Sequence, residues 1–100
     1  MHELYYLKAI AESFLLPAGF ESRTEELRPD AFGSYYCVYD RQGEQLRFVW
    51  DGRDGWGFLE HRREGDEQWA PVGATIPEGP IDSMKEQATR EWGSALAELL

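Results

Sequence analysis

The amino-acid sequence predicts an α+β domain: an antiparallel four- to five-stranded meander flanked by an N-terminal and a C-terminal helix, in the order α-β-β-β-β-β-α. Three observations predict it. Residues 35–72 hold four aromatic-rich strand segments joined by turns of three or four residues, and turns that short connect antiparallel neighbours only. Apolar residues recur at helical spacing near both ends of the chain. The 100 residues make one domain, residues 1–100, close to the commonest domain size.

The first helix is expected from Glu3 to Leu16, with Leu4, Leu7, Ala11, Phe14 and Leu15 on one stripe. Pro17 stops it, and Gly19 lets the chain turn. Phe20–Thr24 is expected to form a short edge strand, and 25–33 a loop broken by Pro29, Asp30 and Gly33. The meander then runs through Tyr35–Asp40, Gln45–Asp51, Trp56–Arg63 and Glu67–Val72. In the second of these strands Leu46, Phe48 and Trp50 share one face, while Arg47, Val49 and Asp51 share the other. Trp50 and Trp56 flank the 52–55 turn and are candidates to pair across it. Residues 73–79 read as a connector. Pro80 then suits the first position of a helix whose apolar stripe is Ile81, Met84, Ala88, Trp92, Ala95, Leu96 and Leu99. The simplest packing sets both helices on one face of the sheet, and one helix per face is the alternative.

Composition narrows the function classes. The net charge of −9 disfavours nucleic-acid and anionic-membrane partners, which need a basic surface, and favours a basic protein. Residues 1–33 carry six acids and three bases, 34–72 eight and five, and 73–100 five and two, so the excess is spread evenly. No run of residues is apolar enough to read as a membrane span. Met1-His2-Glu3 lacks the basic start of a secretory leader, and Leu4–Leu16 is interrupted by Lys8, Glu12 and Ser13. The single cysteine fits a reducing compartment. A cytoplasmic protein is the expectation.

The residues offer no catalytic, metal or cofactor motif. Cys37 lies mid-strand, away from any helix N-terminus that would activate it, and reads as a small core hydrophobe. No serine occupies a G-x-S-x-G elbow. His2 and His61 are far apart, and one cysteine gives no zinc spacing. Asp51-Gly52-Arg53-Asp54-Gly55 puts Arg53 and Gly55 where a calcium loop needs oxygen ligands, so it reads as a hairpin turn. The loop carboxylates are solvated, which is the wrong setting for a general acid.

A helix ending at Leu15-Leu16, then Gly19-Phe20, then an aromatic meander with the Asp51–Gly55 turn, resembles small bacterial α+β proteins of the immunity-protein type, many of them uncharacterised. The likeness covers residues 1–60. It implies neutralisation of a cognate toxin by binding, and it carries over no functional residue.

Three readings follow as hypotheses. The favoured one is a non-catalytic protein-binding domain, of the immunity type, that meets a basic toxin. Its candidate contacts are Asp51 and Asp54 at one end of the meander, with Glu44, Glu64, Asp66 and Glu67 at the other and Trp69 beside the edge. The second is a small-ligand-binding domain or enzyme with a pocket between sheet and helix, lined by Tyr35, Tyr39, Arg47 and His61. The third is a structural homodimer built on an edge strand or the open sheet face.

Overall fold

The computed structural model describes residues 2–100. Helix α1 (Glu3–Leu15) is followed by strand β1 (Glu21–Arg28), a short 3-10 turn (Pro29–Ala31), strands β2 (Ser34–Arg41), β3 (Glu44–Asp51), β4 (Trp56–Arg63) and β5 (Ala70–Pro77), and helix α2 (Ile81–Leu99). The strands form one antiparallel sheet in sequence order, β1-β2-β3-β4-β5, as a meander should. The β2–β3 link is a two-residue hairpin in which Gln42 and Gly43 both have positive φ, 37° and 81°. Those angles match the right-handed twist of the flanking strands. In the β3–β4 turn Asp51 Oδ1 accepts from the backbone N–H of Arg53 and of Asp54, at 3.0 and 3.1 Å.

Both helices pack on the same sheet face. Register puts Tyr35 opposite Trp50, Cys37 opposite Phe48 and Tyr39 opposite Leu46, and all six are buried. The row continues through Leu59 and Val72. Leu4, Leu7, Ala11 and Leu15 of α1 and Met84, Ala88, Trp92 and Leu96 of α2 join these residues in one core. The Trp92 ring meets the Phe48 ring nearly edge-on, with centres 6.1 Å apart, and Trp92 Nε1 donates to the Ala74 carbonyl at 2.9 Å. The molecule measures 19 Å along its shortest axis, the thickness of one sheet and one helix layer. At its start, α1 is capped by His2, whose Nδ1 accepts from the Leu4 N–H at 3.0 Å. His2 is therefore engaged in the helix start.

Several features differ from the sequence reading, most by a residue or two, β1 and β5 by more. β1 runs on to Arg28, through residues expected to be loop. Its side chains are exposed except for half-buried Glu26, so no core pattern marks it. Cross-strand contacts hold it instead: Tyr35 and Tyr36 hydroxyls donate to Glu25 and Glu26, and Arg23 pairs with Asp40 at 2.8 Å. β5 starts at Ala70, not Glu67, and continues through the expected connector to Pro77. Gly73, with φ +72°, bulges that strand; an added Cβ there would lie 3.1 Å from Ala95 Cβ and 3.2 Å from the Glu91 carbonyl oxygen, so the bulge lets α2 sit close. Pro80 is the residue before α2, not its first. Trp56 pairs with Asp51 and Trp50 with Gly57, so the two tryptophans lie on opposite faces and do not pair.

Candidate protein interface on the open sheet face

Because strand residues alternate, the second face of the sheet is set by the same register. It carries Tyr36, Val49 and Phe58 in one cross-strand row and Val38, Arg47 and Glu60 in the next. Among the described residues no helix covers it, and all six side chains are half-buried. The segment between β4 and β5 folds back onto this face and lays down Trp69, which is also half-buried. The guanidinium carbons of Arg47 and Arg62 each lie 4.3 Å from the centre of the Trp69 ring. That is cation–π distance. The two arginines are held from behind. Arg47 donates to Glu60, and Arg62 Nε donates to Gln45 Oε1 at 2.7 Å; Gln45 Nε2 in turn donates to Asp40 Oδ1 at 2.8 Å. The groove beside Trp69 has a volume of about 590 Å³ and reaches Tyr36, Val38 and Arg23. A smaller cleft of about 240 Å³ lies at the apolar end, along Tyr36, Val49 and Phe58.

Most charges of this face are paired, Arg62 with its neutral partner Gln45 being the exception. Arg47 pairs with Glu60, Arg23 with Asp40, and Arg28 lies 3.6 Å from Glu26. The acidic excess of the chain therefore sits elsewhere, on the helices and at the two ends of the sheet. This separation is invisible in the sequence, where the charges are evenly spread.

The residues singled out from sequence fall in different places. Glu44, Glu64 and Asp66 converge at one end of the sheet, lining an open cleft of about 1020 Å³. Arg23, Arg41, Arg62 and Arg63 line it too, so it is mixed in charge, not acidic. Glu44 is paired with Arg41 at 3.1 Å, and Asp66 Oδ2 accepts from the Arg63 N–H at 3.1 Å. Glu67 is exposed and lies outside that cleft. Asp51 and Asp54 sit at the opposite end, and Asp51 is committed to its turn. Asp54, Glu64 and Glu67 make no salt bridge or side-chain hydrogen bond among the described residues. Trp69 is half-buried, with its arginines against the ring.

The sheet–helix pocket is not assembled. Tyr35 and Tyr39 are sealed in the core, whereas Arg47 is on the other face. His61 stands opposite Leu46, on the helix side, and its Nε2 is buried without a hydrogen-bond partner. The space meant for a ligand is filled by Phe48, Trp50, Trp92 and the apolar side of α1. Burial and the bond to Glu25 raise the Tyr35 phenol above its ordinary range. Burial, with hydrogen bonding to Cys37 and Glu12, does the same for Tyr39. For half-buried Tyr36 the hydrogen bond to Glu26 is the main cause of an upward shift.

Among the described residues no group of three or more His, Cys, Asp or Glu side chains could hold a metal ion, and no helix is long and apolar enough to cross a membrane. Comparison with protein-family models, curated proteins and solved structures finds no match.

The sequence reading offers the open face only to a second copy of the chain and puts Arg47 in a pocket with Tyr35 and Tyr39, although strand parity sets Arg47 with Val49 and away from Leu46. The partner of Arg47, Trp69, comes from an irregular segment whose return path no periodicity reports.

Proposed function

We propose that this chain is a non-catalytic protein-binding domain that docks its partner on the open sheet face. The observation that carries the proposal is Trp69 against Arg47 and Arg62, beside the Tyr36–Val49–Phe58 row, on a face that no helix among the described residues covers. Tryptophan, tyrosine and arginine are the residues that most often dominate binding energy at protein interfaces. Arg47 is paired with Glu60 and Arg23 with Asp40, while among the described residues Arg62 is held by neutral Gln45 and keeps its charge, so a partner meets an apolar and aromatic surface with one arginine free to bond.

The acidic groups sit around this face, not on it. Asp54 at one end, with Glu64 and Glu67 at the other, would form an acidic rim that steers a basic protein. The toxin-neutralising, immunity-type role is the form of the proposal that this rim favours. It would act in the cytoplasm, where the single thiol stays reduced.

The test compares two tagged baits in extracts of the source cells, the natural chain and Phe58→Glu, with the fold of each checked by circular dichroism. The proposal expects one basic protein, retained in stoichiometric amount by the natural chain, weakened by high salt and lost by the variant. Retention by both baits alike, or recovery of no stoichiometric protein, would overturn it. With the captured protein in hand, Asp54→Lys with Glu64→Lys should slow association and flatten its salt dependence, leaving dissociation almost unchanged.

A further inference from the structure

The sheet has two edges, and only one is closed. β5 carries Pro71 and Pro77, bulges at Gly73, and has α2 packed against it. These are common ways of blocking an edge. β1 has fewer of them: it bulges at Arg23, but it carries no proline in its eight residues, and its side chains are open to solvent on both sides of the strand apart from Glu26. The outer row of backbone groups on β1 has no partner in the sheet.

Exposed apolar residues collect beside that edge. Leu27 is 50% exposed and stands opposite Tyr35. Tyr5, 42% exposed, has its ring centre 6.3 Å from that of Tyr35. Leu27 and Tyr5 thus flank one buried ring beside the β1 edge, on the helix-bearing face of the sheet.

We propose that β1 pairs antiparallel with β1 of a second copy of this chain, about a two-fold axis at Leu27, joining two five-stranded sheets into one. Charge complementarity selects the register. A two-fold antiparallel pair sets its central residue against itself, and the residue before the centre against the residue after it. Centring on Glu25, Glu26 or Arg28 would oppose identical charges. Centring on Thr24 would run the ladder into the bulge at Arg23. Centring on Leu27 sets leucine on leucine and places Glu26 opposite Arg28 of the second copy, twice. Glu26 and Arg28 share the open face, opposite Tyr36 and Ser34, so the side chains meet on one side. The bulge at Arg23 and the turn at Pro29 limit the ladder to a few residues, so the dimer depends on concentration. The proposal rests on the strand edge and not on the open face, so it stands or falls independently of the docking site.

The test uses Leu27→Cys in the full chain. On the axis the two Cα atoms would be about 4.5–5.5 Å apart, within disulfide reach. The native Cys37 is fully buried and does not compete. Mild oxidation should link Leu27→Cys into a covalent dimer much faster than Ser83→Cys, an exposed site on α2. Sedimentation of the natural chain should show dimer growing toward millimolar concentration. Arg28→Glu should abolish the dimer, and Glu26→Arg with Arg28→Glu should restore it. A natural chain that stays monomeric at millimolar concentration, equal crosslinking at positions 27 and 83, or a dimer indifferent to the charge reversal would each overturn the proposal.

Discussion

Arg47 stacks on Trp69, with its guanidinium carbon 4.3 Å from the ring centre. The two come from elements unrelated in sequence, a strand and a loop, and they meet only because the β4–β5 segment folds back over the open face. Arg47 is fixed from the other side by Glu60, so the stack presents a pre-set surface.

Trp69→Ala should therefore separate stability from binding. Loss of one half-buried cation–π cluster costs about 1 kcal/mol, read as a modest fall in the urea midpoint. Affinity for the captured partner should fall at least about tenfold, as for an interface hot spot, read by titration calorimetry. A large stability loss with unchanged affinity would make Trp69 structural only.

Gly73→Ala should be strongly destabilising. The backbone there has φ +72°, and the new methyl would crowd Ala95 and the Glu91 carbonyl. A cost of about 2 kcal/mol is expected from the two effects together. For a domain of this size that lowers Tm by roughly 10 °C, measurable by thermal circular dichroism.

Cys37 should resist thiol reagents. It is fully buried, lies in the core row between Tyr35 and Tyr39, and its Sγ is 3.5 Å from Ser22 Oγ. Labelling with a chromogenic disulfide reagent should proceed only through unfolding and become immediate in denaturant. Rapid labelling of the native protein would show that β1 opens readily over this site.

Alkaline pH should unfold the protein as its tyrosines ionise. Burial first, then hydrogen bonding, raises Tyr35 and Tyr39 above their ordinary value of 10.0 in the folded state. Above that value the unfolded chain releases these protons while the folded chain keeps them, so stability falls as pH rises. Below it their contribution is fully present. Tyrosinate absorbance should show Tyr35 and Tyr39 appearing together with the loss of the circular dichroism signal. Their ionisation with the fold intact would contradict this.

The fold was largely legible because burial leaves periodic marks. Leu46, Phe48 and Trp50 share one strand face, and Leu4, Leu7, Ala11 and Leu15 recur at helical spacing; all are in the core. β1 was cut short because Glu21–Arg28 buries no side chain fully and so leaves no pattern. β5 was displaced because Gly73 and Pro77 read as breakers, whereas one is a bulge and the other the strand's last residue. The site was less legible. Acidic turns stand out in a sequence, but Asp51 and Asp66 are taken up by their own turns and Glu44 by Arg41. The Trp69 cluster depends on a long-range return of the chain, which local spacing does not encode.

The most direct test of the open-face account is the footprint of the captured partner on the isotopically labelled chain by nuclear magnetic resonance. The account predicts that the Trp69 indole, the Arg47 and Arg62 side chains and the Val38 and Val49 methyls shift on binding, while residues of α2 such as Glu86 and Arg90 do not. A footprint on the helices, with the open face unmoved, would contradict it.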